Sequence, residues 1–572
     1  MKVTLVGVNA KFSHTNLAIR YLKNAAAKAG YDVAAEEYTI NQPVAQVAQE
    51  LVEKQSKLYA FSLYIWNVEY TKQLVKDIRK KVPEAGVLFG GPEATYCAAQ
   101  LLEENWCDYV IRGEGEKAFV AFLDFWMGKK SVEKVPSLSY LQNGQGVDNP
   151  SAPYMDMDEL SIGYEDLASL KNRVIYYESQ RGCPYQCAYC LSSIERGVRY
   201  KSIERVKEDL DAFALAGIMK VKFVDRTFNS RPQRAYEILD YVIHSLSNLA
   251  VHFEIAADLL DDHTLLLLKD ARPGQVQLEI GIQSTNLRTL RAIHRVQDFD
   301  KTARAVHWLV KNTPVHVHVD LIAGLPYEDL RSFQRSFDQV FSLYAQEVQL
   351  GFLKLIHGSA LRSDKEKYGF VFEKKAPYEV RATNCISAEE MNLLKRIEYL
   401  CNRTYNSGLF VHSIKELARQ EKSPFEMFKR LSQFCQKQQI QPQTLTEVGL
   451  CQLLYAFGEQ MRNKQMAVSM LKLDCLLKKR RPKLIKLLED NERERQISRE
   501  YFQRYAGKFA MWGGKRPWHF ARVEHFPFDV VRYLERGEVH SQEGWYLFSY
   551  WQTLQIENIT SEIRVVCENQ LE

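Results

Sequence analysis

One short stretch of the sequence, RGCPYQCAYCL, constrains the chain more than any other. It places Cys183, Cys187 and Cys190 in a C-x-x-x-C-x-x-C spacing, so one loop can turn three thiolates toward a soft metal centre. Gly182 and Pro184 suit such a loop, because glycine permits unusual backbone angles and proline fixes φ. Three sulfur ligands are one short of a closed four-cysteine site, which indicates an open metal position. A zinc loop with a distant fourth ligand, or buried thiols acting as small hydrophobes, are the other interpretations.

The composition is that of a large globular protein from a reducing compartment. The chain has 572 residues, enough for about three or four domains, and 46% of them are hydrophobic. Of its 11 cysteines, those outside the loop are scattered singly, which favours a cytoplasmic location over a disulfide framework. We expect no signal peptide and no membrane span, since no run approaches ~20 apolar residues. A net charge of +5 is small for this length and gives no indication of nucleic-acid binding.

Residues 1–135 alternate apolar, β-rich runs with amphipathic helical segments. This pattern predicts an α/β fold with a Rossmann-like, doubly wound parallel sheet. Ligands of such sheets bind at the carboxyl ends of the strands, where two glycine-rich turns fall. The predicted ligand-binding residues of these turns are Gly90, Gly91, Gly113, Glu114 and Gly115. The alternative is that the glycines serve only as turns.

The rest of the chain divides into three further segments. Residues 136–170 are glycine- and proline-containing and include an acidic run, which predicts a hairpin and a linker. Residues 171–375 repeat a strand–helix unit, with polar residues at the strand ends, as expected of a partial (β/α)6 barrel of TIM type. Residues 376–572 predict a mainly helical C-terminal domain.

The cysteine spacing, with Tyr189 just before the last cysteine, resembles that of the radical S-adenosylmethionine (radical SAM) enzymes. The resemblance implies a 4Fe-4S cluster on the three cysteines, with S-adenosylmethionine (SAM) bound to the fourth iron. Three later strand ends, KFVDRTFN, EIGIQS and DLIAGLPYE, are similar to motifs that hold SAM in that family. The resemblance assigns Asp225 to the methionine amino group, Glu279, Gln283 and Ser284 to the ribose, and Asp320 and Gly324 to the motif that approaches the adenine.

The N-terminal segment, with FGGPEATY and DYVIRGEGE, resembles the cobalamin-binding domain that precedes many radical SAM enzymes. Cobalamin is therefore the implied ligand of the glycine-rich turns. The D-x-H-x-x-G motif that supplies a cobalt ligand in some cobalamin proteins is absent: His14 is present, but Phe12 replaces the Asp and Leu17 the Gly. Without a carboxylate to orient the imidazole, we expect no protein histidine on the cobalt. The C-terminal segment resembles a domain of unknown function found behind such enzymes.

The resemblance implies an enzyme that cleaves SAM to a 5′-deoxyadenosyl radical and uses it to modify a substrate. Methylation through cobalamin is the expected outcome, and a flavodoxin- or ferredoxin-like protein is the expected electron donor. A catalytically inactive corrinoid- or metal-binding carrier or sensor is one alternative, against which the complete cysteine triplet argues. An RNA-modifying enzyme like the tRNA methylthiotransferases is another, but those normally have three N-terminal cysteines, and here Cys97 and Cys107 alone precede the triplet.

Overall fold

A computed structural model describes residues 2–194, 197–478, 488, 492–512 and 516–568. The chain divides into two compact units, Met1–Met391 and Asn392–Glu572. The first unit contains a mainly parallel sheet followed along the chain by a partial barrel, and the second is mainly helical. The predicted fold class is confirmed.

The strands of the N-terminal sheet are β1 (Val3–Asn9), β2 (Ala34–Thr39), β3 (Leu58–Ser62), β4 (Gly86–Gly90), β5 (Tyr109–Ile111), β6 (Leu138–Gln142) and β7 (Gln145–Asp148). Their order is β2-β1-β3-β4-β5-β6-β7, with the first five parallel and the last two an antiparallel hairpin at one edge. The accompanying helices are α1 (Leu17–Lys28), α2 (Val44–Glu53), α3 (Val68–Lys81), α4 (Pro92–Tyr96), α5 (Ala98–Glu103) and α6 (Glu116–Trp126).

Helices cover both faces of this sheet, which explains why its central strands are apolar throughout. Alternate residues of β1 belong to separate cores: Val6 packs with residues of α2 and α3, while Leu5 packs with residues of α1 and α6. The winding reverses between β1 and β3, and the carboxyl ends of strands beside such a point form a ligand crevice. The hairpin of β6 and β7, which the sequence placed beyond residue 135, extends the same sheet.

The second part of the first unit contains ten strands, of which six form the barrel sheet in the order β15-β14-β13-β12-β11-β8. The strands are β8 (Ile175–Tyr177), β9 (Gln180–Gly182), β10 (Val198–Tyr200), β11 (Lys220–Phe223), β12 (Ala250–Ile255), β13 (Val276–Gln283), β14 (His316–Ala323), β15 (Glu347–Phe352), β16 (Val371–Phe372) and β17 (Val380–Ala382). The helices are α7 (Ile203–Leu215), α8 (Pro232–Ser245), α9 (Asp262–Leu267), α10 (Leu287–Ala292), α11 (Phe299–Asn312), α12 (Leu330–Phe341) and α13 (Ala360–Ser363).

Each barrel strand has one apolar and one polar face. Tyr177 of β8 packs edge-on against Phe213 of α7, so the apolar face is the one covered by helices. The opposite face carries charged and polar side chains: Tyr176, Lys222, His252, Glu254, Glu279, His318, Asp320 and Glu347. A closed TIM barrel fills this interior with branched apolar side chains. A polar interior instead suits ligands and water.

The second unit is built around helices, the first of which begins just before the division between the units. They are α14 (Ala388–Cys401), α15 (Val411–Gln420), α16 (Pro424–Lys437), α17 (Glu447–Gly458), α18 (Lys464–Leu477), α19 (Glu492–Arg504), α20 (Val530–Arg536) and α21 (Thr560–Glu568). A small antiparallel sheet, which the sequence did not predict, contains β18 (Ala521–Phe526), β19 (Gly544–Ser549) and β20 (Gln555–Asn558). Among the described residues of the whole chain, no helix has the length and apolar character to cross a membrane.

Candidate cofactor-binding site

The cysteine loop is held by a short antiparallel ribbon. β9 leads into the loop and β10 leaves it, with Gly182 opposite Val198. Gly182 has φ of +91°, and a Cβ there would lie 2.2 Å from the carbonyl oxygen of Gly197, so glycine is required. In mid-loop, the backbone N–H of Ala188 donates to Ile293 O at 2.9 Å. The loop is thus fixed at both its stem and its middle.

Two of the three cysteine side chains have polar neighbours. Arg295 Nη1 lies 3.7 Å from Cys187 Sγ, and Thr227 Oγ1 lies 3.4 Å from Cys183 Sγ. Burial raises the pKa of the Cys183 thiol, and the contact with Thr227 opposes that rise. The guanidinium of Arg295 thus offers the Cys187 sulfur a charged hydrogen-bond donor.

The three sulfur atoms of the loop do not all lie within the spacing of a single-ion site. Ligands of one zinc ion lie within about 4 Å of one another. In the part of the chain that the structure describes, the one group of His, Cys, Asp or Glu whose ligand atoms all lie within 4.8 Å of one another is elsewhere, at Glu93, Cys97 and His357. Cysteine ligands of a 4Fe-4S cluster are held by different irons and stand farther apart. The spacing of the loop sulfurs disfavours one zinc ion on these three residues, and their role as cluster ligands stays a prediction.

Asp225 lies beneath the cysteine loop and is fully buried. Its carboxylate accepts hydrogen bonds from the backbone N–H of Ser179 at 2.8 Å, from the Ser179 hydroxyl, and from the N–H of Gln180 at 3.1 Å. Burial raises the pKa of Asp225 to about 7, against the effect of these donors. The side chain thus fixes the backbone that enters the loop, and its predicted contact with SAM stays a prediction.

Glu279 is the centre of an ionic group on the polar face of the barrel. Its Oε2 lies 2.8 Å from His252 Nε2 and 3.2 Å from Lys222 Nζ. Burial opposes ionisation, but the hydrogen bond from His252 and the charge of Lys222 hold the pKa of Glu279 at about 2. The carboxylate is therefore ionised at neutral pH and can accept further hydrogen bonds from a ligand.

One buried oxygen at the end of β13, Oε1 of Gln283, has no hydrogen-bond partner among the described residues. Buried acceptors are normally satisfied, so such an atom indicates a ligand. Asp320, within β14, has its Oδ1 3.0 Å from His318 Nε2 and is paired with it. Both residues were predicted to bind SAM; the unpaired oxygen of Gln283 fits a polar cofactor, and the contact of Asp320 with SAM stays a prediction.

Ser284 and Gly324, also predicted SAM residues, have protein neighbours. The Ser284 hydroxyl donates to Glu328 Oε1 at 2.6 Å and is fully buried. Gly324 has φ of +87°, and a Cβ there would lie 3.2 Å from Met391 Cε and 3.4 Å from Val380 Cγ1. The structure thus gives both residues a packing role, and their roles toward SAM stay predictions.

The glycine-rich edge of the N-terminal sheet lies against the cysteine loop. Arg181, the first residue of the cysteine motif, contacts Glu116 Oε1 at 2.5 Å, Glu178 Oε2 at 2.9 Å and Glu114 Oε2 at 3.3 Å. Arg199 of β10 also pairs with Glu114. The acidic residues of the RGEGE turn therefore join the sheet to both strands of the loop's ribbon.

The first loop of the N-terminal sheet reaches the first barrel strand. Val174 N–H donates to Ser13 O at 2.8 Å, and His14 Nδ1 lies 3.1 Å from the Tyr176 hydroxyl. Burial, with the charges of Lys11 and Lys222, lowers the pKa of His14. His14 is thus a neutral imidazole held by a tyrosine rather than by an aspartate. That His14 does not coordinate the cobalt of cobalamin stays a prediction.

The surface between the RGEGE turn and the first loop of the N-terminal sheet fits a large flat ligand. A Cβ at Gly113 would meet no atom within 4 Å and one at Gly90 would meet only Ile111 O at 3.8 Å, so both face open space. Tyr64 and Trp66, which follow β3 at the same edge, stack with ring centroids 4.3 Å apart, and Trp66 is 46% exposed. Open backbone beside exposed aromatic rings suits the corrin of cobalamin.

Gly91 and Gly115 are more confined. A Cβ at Gly91 would lie 2.7 Å from Leu63 O, and one at Gly115 would lie 3.0 Å from Leu22 Cδ2. Glu114 is paired with arginines, as described above. These three predicted cofactor residues therefore shape the turns, and their contact with cobalamin stays a prediction.

Sequence reasoning did not identify Arg181, Arg199, Arg295 or Glu116 as site residues. Their partners lie far along the chain, and contacts of that range leave no local pattern. The sequence signal for these contacts was the pair of closely spaced glutamates in RGEGE together with the arginine that begins the cysteine motif.

Three family models match the chain. A B12-binding domain matches residues 3–123, the radical SAM superfamily matches residues 177–340, and a protein of unknown function, DUF4080, matches residues 366–548. The chain therefore contains a radical SAM domain. More narrowly, it carries a B12-binding domain before the radical SAM domain and a DUF4080 domain after it. These domains imply a 4Fe-4S cluster, SAM and cobalamin, so the family and cofactors predicted from the sequence are confirmed.

Named relatives share about half of the chain. An uncharacterized methyltransferase of Pyrococcus horikoshii is 28% identical over 271 residues, which is 45% of this chain and 58% of that protein. The cobalamin-dependent radical SAM methyltransferase TokK of Streptomyces tokunonensis is 25% identical over 312 residues, covering 51% and 45%. The chain thus spans less than two thirds of either relative. The cobalamin-dependent SAM radical enzyme OxsB shares the fold, with a TM-score of 0.61, 14% identity, and coverage of 85% of this chain and 83% of that one.

Proposed function

We propose that the protein is a cobalamin-dependent radical SAM methyltransferase. The observation that carries the proposal is the contact of the glycine-rich sheet edge with the cysteine loop through Arg181, Glu114 and Glu116. A ligand bound at that edge would face the cluster loop and the first barrel strand. A carrier or sensor does not require two cofactor sites that face each other.

The protein's contribution is to bind and orient the cofactors. When bound, the cluster and SAM supply one-electron cleavage of a sulfonium, and cobalamin supplies a methyl carrier. Cys183, Cys187 and Cys190 would hold the cluster, and Arg295, 3.7 Å from Cys187 Sγ, would place a positive charge beside it. A flavodoxin- or ferredoxin-like protein donates the electron.

SAM binds at the ends of the barrel strands. The unpaired oxygen of Gln283 would accept a hydrogen bond from it, the ionised Glu279 would accept from its hydroxyl groups, and Asp320, paired with His318, lies on the same face. Ser284 and Gly324 shape the same strand ends. Asp225 either binds the amino group of SAM or, by accepting hydrogen bonds from Ser179 and Gln180, holds the backbone that enters the loop.

Cobalamin binds along the edge formed by Gly90, Gly91 and the turn Gly113–Gly115, with its corrin beside Trp66. The domains are residues 1–135 for cobalamin, 136–170 as a hairpin that extends its sheet and a linker, 171–375 as the radical SAM barrel, and 376–572 as the C-terminal domain. The ten described cysteines form no disulfide with one another, which supports a cytoplasmic location.

The substrate presents polar groups to the barrel. The ligand-facing side of the strands carries His252, Glu254 and His318 in addition to the SAM residues. His252 is hydrogen-bonded to Glu279 and His318 pairs with Asp320, and a lining of this polarity favours a polar substrate over an apolar one. A methylthiotransferase activity is less favoured, because the triplet of N-terminal cysteines is missing.

Anaerobic reconstitution of the full chain tests the proposal. We expect about four irons and four sulfides per chain, one bound cobalamin, and 5′-deoxyadenosine or S-adenosylhomocysteine from SAM under a strong reductant. Changing the three loop cysteines together to Ala should abolish the iron and both products, whereas Cys107→Ala and Cys401→Ala should keep them. Iron and cobalamin bound without any turnover of SAM would favour the carrier.

A further inference from the structure

A second group of metal-ligand side chains lies away from the cysteine loop. Glu93, Cys97 and His357 each offer one ligand atom, and these atoms all lie within 4.8 Å of one another. The Cys97 Sγ to Glu93 Oε1 distance is 4.0 Å. In a tetrahedral zinc site a thiolate sulfur and an imidazole nitrogen stand about 3.5 Å apart, so a small contraction would complete the geometry.

The three residues come from two parts of the fold. Glu93 lies on α4 and Cys97 follows one turn later, so both project from the same side of that short helix. His357 lies in the loop after β15, the last barrel strand. The loop packs closely on α4, since a Cβ at Gly358 would meet the Tyr96 ring at 2.5 Å.

Tyr378, from the segment that follows the barrel strands, holds the carboxylate of Glu93 in place. The Tyr378 hydroxyl donates to Glu93 Oε1, and the Tyr378 ring packs edge-on against His357 with centroids 4.8 Å apart. Hydrogen bonds of this kind orient metal ligands in known sites. Arg362 lies 4.8 Å above the same ring and donates to the backbone carbonyl of Leu355, and Lys72 is a second cation whose charge acts on the three ligand groups.

Burial disfavours the charged forms of the three ligand groups. It raises the pKa of Glu93 and raises that of Cys97 to about 12, and it lowers the pKa of His357 to about 4. A neutral imidazole is ready to bind a metal, and a divalent cation would compensate the buried thiolate and carboxylate.

We propose that Glu93, Cys97 and His357 bind one Zn²⁺ ion that joins the B12-binding domain to the loop after the last barrel strand. Mixed sulfur, nitrogen and oxygen ligands favour zinc over magnesium or calcium. Three protein ligands leave the fourth position to water. The ion fixes α4, and with it the glycine-rich turn before it, against the barrel.

Zinc content of the full chain tests this site without using enzymatic activity. The background is the variant with Cys183, Cys187 and Cys190 changed to Ala, so that the cluster loop cannot take the metal. After dialysis against excess Zn²⁺ and then metal-free buffer, we expect about one zinc per chain. Cys97→Ser and His357→Gln should each lose it, while the matched controls Cys107→Ser and His316→Gln should retain it.

Cobalt substitution provides an independent readout. The same background protein loaded with Co²⁺ should show a thiolate-to-cobalt charge-transfer band and tetrahedral d–d bands, both lost in Cys97→Ser. Circular dichroism confirms that each variant is folded, and Glu93→Gln, the mildest change, should lower zinc affinity at least tenfold. No zinc above the Cys97→Ser level, or zinc that survives in both ligand variants, would overturn the proposal. Because this assay needs neither cluster nor cobalamin, its failure leaves the methyltransferase proposal intact.

Discussion

Replacing Arg181 with Met should show how the RGEGE turn is attached to the cysteine loop. The Arg181 side chain is 13% exposed and contacts three carboxylates, of which Glu116 is 7% exposed. Burial alone would raise the pKa of Glu116, but the charge and hydrogen bond of Arg181 hold it below its usual range. Removing one partner of a buried ion pair leaves an unpaired charge and costs about 3–5 kcal/mol.

The loss of stability in Arg181→Met should depend on pH. In the wild type the depressed pKa of Glu116 contributes stability above the unfolded pKa of about 4.3, and this contribution disappears as pH falls through the folded pKa. In Arg181→Met the largest opposition to burial is lost and only a backbone hydrogen bond and the charge of Arg199 remain, so the pKa of Glu116 rises and the carboxyl is protonated at a higher pH than in the wild type. The difference in free energy of unfolding between the two proteins should therefore shrink from about 3–5 kcal/mol at pH 7 to about 1–2 kcal/mol near pH 4.5.

Denaturant unfolding of the full chain, followed by tryptophan fluorescence at several pH values, measures this difference. Arg199→Met is the matched control, because Arg199 pairs with Glu114 but is 28% exposed and should cost about 1 kcal/mol or less. Adding Glu116→Gln to Arg181→Met should restore part of the stability. Equal losses for the two arginine variants at every pH would refute the account of a buried ionic junction.

Three further changes test single residues. Gln283→Ala should weaken SAM binding about tenfold in equilibrium dialysis, since it removes a buried acceptor that has no other partner among the described residues, and unchanged affinity would exclude that contact. Asp225→Ala should weaken SAM binding by about tenfold or more, because it removes the acceptor for Ser179 and Gln180 and a charge-assisted partner for the amino group; binding as tight as wild type would show that the assignment is wrong. His14→Ala should leave cobalamin affinity and the Co(II) spectrum unchanged, whereas a nitrogen hyperfine signal that the variant loses would place His14 on the cobalt.

The sequence predicts those features that depend on local pattern. The apolar strands of the N-terminal sheet, the six barrel strands and the cysteine loop all follow from periodicity and spacing, and the fold confirms them. Contacts between distant segments could not be found in this way. Arg181 forms an ion pair with Glu116, and the Ser284 hydroxyl donates a hydrogen bond to Glu328, because the fold brings separate segments of the chain together. The sheet of β18–β20 was missed because its short strands lie among helical segments.

The central claim is that cobalamin and the cluster occupy opposed sites within one chain. Electron paramagnetic resonance of the full chain with Co(II)-cobalamin and a reduced 4Fe-4S cluster tests it directly. We expect magnetic coupling that broadens the Co(II) signal, and we expect the signal to sharpen when Cys183, Cys187 and Cys190 are changed to Ala. A Co(II) spectrum that is identical with and without the reduced cluster would contradict the account.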